Sequence, residues 1–181
     1  MEGYKYLSSY ILATVICDLN VEFIRKWIDY QQAVSFGYKS RTKDQMEQAG
    51  RSGKQNIAEG YTMQSLESYI KLLGVSDGSF KELASDYEDF LRQHKLKIWD
   101  KMDPKVRVFR NFRAVWKTPN IPNTPNLPNN PEEAANLLLT FCQMETFLLK
   151  RQIDSLTEKF IKEGGFRENL FKKRLDRKYG R

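Results

Sequence analysis

Three glycines stand inside a segment whose sequence otherwise favours a helix. The segment is residues 44–60, and the glycines are Gly50, Gly53 and Gly60. Each glycine costs about 1 kcal/mol relative to alanine in a helix interior. That cost is usually offset by the close approach of a second chain segment, which only a small side chain permits. The pattern therefore predicts a helix packed tightly against a neighbour.

The helix predicted next, which follows Ser65, carries the same feature. Gly74 and Gly78 recur within it, and Asp77 interrupts its apolar stripe. An acidic side chain on a buried face must be paired or hydrogen-bonded. We expect Arg51 or Asn56 of the preceding helix to be that partner, and we interpret the arrangement as a structural clamp rather than a catalytic site.

Apolar side chains that recur every three or four residues predict four helices in all. The first covers about residues 4–38, with Gly37 as its stop signal. The second begins after Ser40 or Thr42, and the fourth begins at Pro131 and continues to about Glu163. The first and fourth are apolar on more than one side, which predicts burial against other subunits as well as within one. The expected fold is all-α, a helical bundle over residues 1–163, followed by a basic suffix over residues 164–181.

A long loop without apolar periodicity is predicted over residues 95–131. Prolines recur every third residue from Pro119 to Pro131, and polyproline II has three residues per turn. A continuous polyproline strut therefore fits this segment, either as a brace on the bundle or as a ligand for a proline-binding domain.

Basic and aromatic residues alternate in the first part of that loop. The aromatic residues Phe109, Phe112 and Trp116 either stack nucleic-acid bases or anchor the loop to the bundle. The basic residues, which are candidates for phosphate contacts, are Arg107, Arg110, Arg113 and Lys117.

The 181-residue chain has a formal net charge of +7, and much of this excess lies at its end. Such a balance favours an anionic partner. The suffix contains only two acidic residues, Glu168 and Asp176. Its candidate nucleic-acid-binding residues are Arg167, Lys172, Lys173, Arg174, Arg177 and Lys178.

The sequence contains no arrangement that we recognise as catalytic. A di-metal carboxylate site in a helical bundle needs Glu-x-x-His pairs, and the single histidine, His94, has none. The segment from Gly50 to Lys54 lacks the lysine and hydroxyl spacing of a phosphate-binding loop. Cys17 and Cys142 lie in apolar patterns and are expected to be free, buried thiols. We expect no enzyme activity, metal or cofactor, and a cytoplasmic protein without a membrane span or signal peptide.

Several motifs together give the chain a family resemblance. Residues 50–60, with Arg51, Gly53, Asn56, Glu59 and Gly60, are followed by Ser79 and by Lys81-Glu82-Leu83. This combination resembles the four-helix-bundle proteins related to those encoded in intervening sequences of bacterial 23S rRNA genes. The segments 44–46, 86–91 and 163–166 are similar to the subfamily with a C-terminal suffix.

The resemblance implies features of the fold, the assembly and the partners that neither periodicity nor charge can indicate. It implies an antiparallel four-helix bundle that is often assembled as a homopentamer. We expect structural roles for the motif residues, including Gly74, Asp77, Gly78 and Glu82 of the third helix. It also includes accessory proteins of diversity-generating reverse transcriptases, which bind nucleic acid and the polymerase.

Two functions are compatible with the sequence. One is a non-enzymatic, homo-oligomeric adaptor that binds RNA or DNA through basic surfaces, as accessory to a reverse transcriptase or in association with rRNA. The other is a structural or protein-interaction bundle whose charge serves solubility.

Overall fold

The structure, a computed structural model, describes residues 3–28, 41–118 and 120–180, and it is mainly α-helical. A short 3-10 turn, Gly3–Tyr6, precedes the first helix, and a π-helical turn, Ile24–Ile28, continues it. The α-helices are α1 (Ser8–Phe23), α2 (Arg41–Thr62), α3 (Leu66–Gln93), α4 (Pro104–Arg110), α5 (Pro131–Glu163) and α6 (Phe166–Tyr179). The strands are β1 (Trp116–Thr118) and β2 (Ile121–Pro122). The expected all-α class is confirmed in this broad sense.

Helix boundaries fall where capping residues stand in the sequence. The hydroxyl of Ser65 accepts a hydrogen bond from the backbone N–H of Ser68 at the start of α3. The side chain of Asn130 caps α5 by accepting from the N–H of Glu133, and Pro131 occupies the first turn, where its missing donor is not needed. Gly164, with φ of 75°, ends α5 in a conformation that other residues rarely adopt. The predicted bounds of α5 are confirmed.

The four long helices share one apolar core. Helix α3 packs on α2 and α5, and α1 packs on the same two helices. A buried polar link crosses this core, since the Asn20 side chain donates to the Met46 carbonyl (2.9 Å) and accepts from the Tyr87 hydroxyl (2.7 Å). The largest fully buried side chains include Tyr87, Phe23, Phe80 and Phe141.

The glycines of α2 account for its close contact with α3. A Cβ atom added at Gly53 would lie 2.6 Å from the Phe80 ring, and one added at Gly60 would lie 2.6 Å from the Tyr69 ring. The Ser76 hydroxyl, also on α3, donates to the Gly53 carbonyl over 2.8 Å. The close packing predicted from these α2 glycines is therefore present.

The predicted roles of the α3 residues are wrong. Gly74 and Gly78 are exposed, and a Cβ added at either would meet no atom within 4 Å among the described residues. Asp77 pairs with Lys81 of its own helix at 2.5 Å rather than with α2. It points away from α2 because Ser76, one residue earlier, occupies the position that faces Gly53.

The other residues of the shared motif make local contacts or face solvent. The Asn56 side chain donates to the Ser52 carbonyl, one turn earlier in α2 (2.8 Å). Arg51, Glu59 and Glu82 are exposed. None of these side chains forms the interhelical clamp that we expected.

The segment before α5 contains structure that periodicity did not predict. Helix α4 begins after Asp103, whose carboxylate accepts from the N–H of Lys105. Strands β1 and β2 form an antiparallel pair. Asn120 has a φ of 67°, a left-handed conformation that a polyproline helix cannot contain. The predicted continuous strut is therefore wrong over this part.

Two side chains of α5 tie down the chain that leaves α3. Glu132 accepts from the Trp99 indole (2.8 Å) and from the N–H of Lys97 (3.1 Å). Asn136 accepts from the N–H of Trp99 and donates to the Lys97 carbonyl, both at 2.9 Å. These bonds hold the start of the long loop beside α5.

Three predicted features lie outside the described residues. They are the end of the first helix near Gly37, the alternative cap Ser40, and Pro119.

Candidate nucleic-acid interface

The tail helix, α6, carries its positive charge on one side. At 3.6 residues per turn, five cations fall within about 140° of arc, and both acidic residues fall outside it. All of these side chains are exposed. The five are Arg167, Lys173, Arg174, Arg177 and Lys178, while Lys172 lies on another side. The tail helix therefore presents a basic surface that is free to meet an extended anion.

An apolar stripe adjoins that basic surface. Phe171, Leu175 and Tyr179 are spaced by four residues and are 59%, 37% and 66% exposed. Two of the three are aromatic, so the tail helix offers rings next to cations, a combination suited to single-stranded nucleic acid.

The candidate cations of the long loop are divided by the fold. All four are exposed, and Arg110 and Arg113 line the same concave surface. Arg107 and Lys117 lie on the outside of α4 and β1. The predicted basic patch is therefore a pair of arginines at a groove with two outlying cations.

The aromatic residues of the loop act as anchors. The Phe109 ring stacks on Trp99, and the Phe112 ring stacks on Phe141 with 5.0 Å between centroids. The Trp116 indole donates to the Lys5 carbonyl over 2.5 Å. Between the two alternatives that the sequence left open, the structure favours anchoring for all three rings, because each already has a partner within the subunit.

Those anchors create a groove between α1, α5 and the segment after α4, which we name the α1–α5 groove. Its volume is about 710 Å³, within the range of ligand sites. Leu12, Phe112, Met144 and Leu148 contribute apolar surface. Its polar lining includes Arg110, Arg113, Gln143 and Arg151, and none of its lining residues is acidic.

Sequence reasoning missed two groove residues, Phe147 and Arg151. Phe147 belongs to the apolar pattern of the predicted fourth helix, yet it is 60% exposed. The Arg151 guanidinium lies 5.8 Å from its ring centroid, one turn along α5. The i, i+4 spacing of an aromatic and an arginine was visible, but the groove exists only once the loop is folded beside them.

A second concave surface, of about 750 Å³, lies between α2 and α3 and has the opposite character. Asp44, Glu82 and Asp86 line it, and Arg41 is the one cation among its described lining residues. Burial, together with the nearby carboxylates of Asp89 and Glu82, raises the pKa of Asp86 to about 6. The charge of this acidic cleft is unfavourable for binding phosphate.

The two cysteine thiols lie in surroundings that disfavour their charged form. Burial raises the pKa of the Cys17 thiol to about 12, and that of Cys142 well above its ordinary value, so neither is a ready thiolate nucleophile. The Cys17 thiol donates to the Gly50 carbonyl, and both cysteines are free. In the described part of the chain, no three His, Cys, Asp or Glu side chains are grouped to hold a metal.

No helix within the described ranges combines the length and the apolar character needed to cross a bilayer. Comparison of the chain with models of protein families, with curated proteins and with solved structures finds no match.

Proposed function

We propose that this protein is a non-enzymatic adaptor that binds RNA or DNA. The observation that carries the proposal is the tail helix, whose five clustered cations are exposed and separated from its acidic residues. Lysine and arginine side chains in such a cluster bind phosphates by releasing counterions, with little preference for sequence. The compartment that fits this role is the cytoplasm.

The finer fold that we propose is a single antiparallel four-helix bundle. Contacts between α2 and α3 support it, since Gly60 near the end of α2 meets Tyr69 near the start of α3, while Gly53 meets Phe80. Ser9 of α1 and Tyr69 of α3 both bond Gln152 of α5. The resemblance of the sequence to proteins related to 23S rRNA intervening sequences points the same way.

We further propose that the protein assembles as a ring, with five subunits as the expected number. The subunit number rests on the resemblance, and a partnership with a reverse transcriptase or with rRNA rests on it as well. A ring would place several tail helices on one particle, and such repetition converts weak phosphate contacts into useful avidity.

Neutralising the tail tests the proposed binding. The test variant replaces four cations of the basic arc by glutamine: Lys173, Arg174, Arg177 and Lys178. The control variant removes the same charge at four exposed lysines elsewhere: Lys71, Lys101, Lys150 and Lys162. Fluorescence anisotropy with a labelled duplex should show that only the test variant loses affinity, by about tenfold or more at low salt. Equal loss in both variants would mean that net charge alone acts.

A protein-interaction role is the second candidate, and the apolar stripe of the tail helix favours it. Phe171, Leu175 and Tyr179 are exposed and do not belong to the described apolar core, and helices with such stripes dock into grooves of partner proteins. This function would be preferred if the parent protein bound neither single strands nor duplex at low salt.

A further inference from the structure

The α1–α5 groove combines an aromatic ring, an apolar floor and three arginines. The Phe147 ring is 60% exposed, and the Arg151 guanidinium lies 5.8 Å from its centroid. Arg110, Arg113 and Arg151 form no ion pair with any described residue. A ligand that satisfies this lining must be planar and apolar in one part and anionic in another.

We propose that the groove binds single-stranded nucleic acid, one base against Phe147 and its flanking phosphates against the arginines. This inference rests on the proposed function and names the form of nucleic acid that one site takes. A stacked base pair in a duplex does not expose its face, whereas an unpaired base can leave the strand and stack on an aromatic side chain.

The lining also predicts how selective the site is. Among the described residues that line the groove, Ser8 and Gln143 are the only uncharged polar side chains, so few such groups are available to read a base edge. Stacking does not discriminate strongly among bases, since each has a π-face. The groove should therefore prefer single strands over duplex while showing slight preference for sequence.

The loop that forms one side of the groove is fixed to the rest of the subunit. Phe112 lines the groove and is held by stacking on Phe141, a fully buried ring of α5. Trp116 fastens the same loop to the N-terminal turn through the Lys5 carbonyl. Arg110 and Arg113 thus extend from a segment that is attached at two places. The backbone that carries the arginines is therefore held in position before a ligand arrives.

The test uses the full-length protein with a labelled 12-residue oligouridine and a blunt duplex as probes. Phe147→Ala removes the stacking ring, and Ile161→Ala is its control on the same helix, because Ile161 is 75% exposed and does not line the groove. We expect Phe147→Ala to weaken single-strand binding by about five- to a hundredfold. Its duplex binding should equal that of the parent, and the Ile161→Ala variant should match the parent on both probes.

The arginines are tested by Arg110→Gln combined with Arg113→Gln, with Arg51→Gln as a control at another exposed arginine. The slope of log affinity against log salt for the single strand should fall by about 1.4 in the double variant, or 0.7 for each phosphate contact. It should stay unchanged in Arg51→Gln.

The outcomes separate this inference from the proposed function. If the parent binds oligouridine and Phe147→Ala binds it equally well, the groove proposal is wrong while the adaptor proposal stands. If Phe147→Ala weakens single strand and duplex alike, stacking of an unpaired base is also excluded. If the parent binds neither probe, the proposed function itself is wrong.

Discussion

Glu145 is the residue whose environment is most unusual for its chemistry. It lies on α5 with no exposed surface, and neither carboxyl oxygen has a hydrogen-bond partner among the described residues. Burial raises its pKa well above the ordinary value of 4.5, so the folded protein keeps the neutral carboxyl to a higher pH than the unfolded chain does. A charged carboxylate there would lack any compensating contact.

Stability should therefore depend on pH through Glu145. Above about pH 4.5 the unfolded chain releases this proton while the folded chain retains it. The free energy of unfolding then falls by up to about 1.4 kcal/mol per pH unit from this group. Glu145→Gln cannot titrate, so in urea unfolding the free energy of unfolding of the variant should rise relative to that of the parent as the pH is raised above 4.5. A difference that is constant over this range would contradict the burial of an ionisable group.

Gly53 and Gly74 should respond in opposite ways to replacement by alanine. Alanine at Gly53 would force its Cβ against the fully buried Phe80 ring, and overpacking of this kind costs about 1–3 kcal/mol. Alanine at Gly74 meets open space and gains about 1 kcal/mol in helix propensity. Urea denaturation should thus give shifts of opposite sign for Gly53→Ala and Gly74→Ala, and Gly53→Leu should be worse than either. Shifts of the same sign would contradict the close contact at Gly53.

At the scale of elements, the long loop is bound to α5 by Asn136. The residue is 2% exposed and holds the backbone of Lys97 and Trp99. Asn136→Ala would leave those groups without partners, so it should lower the free energy of unfolding by about 1–3 kcal/mol. Ser155→Ala, at an exposed site of the same helix, is the control. Urea denaturation followed by tryptophan fluorescence measures both, and equal midpoints would show that the loop is not held this way.

The sequence predicted some elements well because their signals are local. Ser65, Pro131 and the Gly164-Gly165 pair mark helix ends through capping and backbone conformation. Helix α4 also has a local signal, Asp103 before Pro104, but its seven residues are too short to show apolar periodicity.

The α1–α5 groove could not be predicted in the same way. It depends on where the loop crosses α5, and that path is set by contacts such as Phe112 with Phe141. The prediction of close packing at the α3 glycines was wrong for a related reason. Sequence shows that Gly74 and Gly78 are costly in a helix but does not show which side of the helix they occupy, and here they face outward.

At the scale of the molecule, charge is divided between faces. The acidic cleft lies between α2 and α3, whereas the groove arginines lie beside α1 and α5. Most apolar residues of α1 are buried within one subunit, including Leu12, Ile16 and Phe23. The exposed apolar residues of α1 and α5 that are available for contacts between subunits include Val21 and Ile161.

Assembly as a ring is the first prediction at this scale. Gel filtration coupled to light scattering should give a mass near five times the 21.3 kDa chain at micromolar concentration. Because the proposed ring repeats the tail helix, the assembled particle should bind a long single strand more tightly than a short one. A monomer at this concentration would contradict the proposed assembly, although each subunit would keep its own basic surfaces.

Binding of nucleic acid through phosphates is the central claim, and a salt titration tests it most directly. The affinity of the parent for the 12-residue oligouridine and for the duplex is measured by anisotropy between about 50 and 200 mM salt. We predict straight lines of log affinity against log salt, with slopes of about −0.7 per phosphate contacted on the single strand and −0.9 on the duplex. No binding to either probe at 50 mM salt, or an affinity independent of salt, would contradict the account.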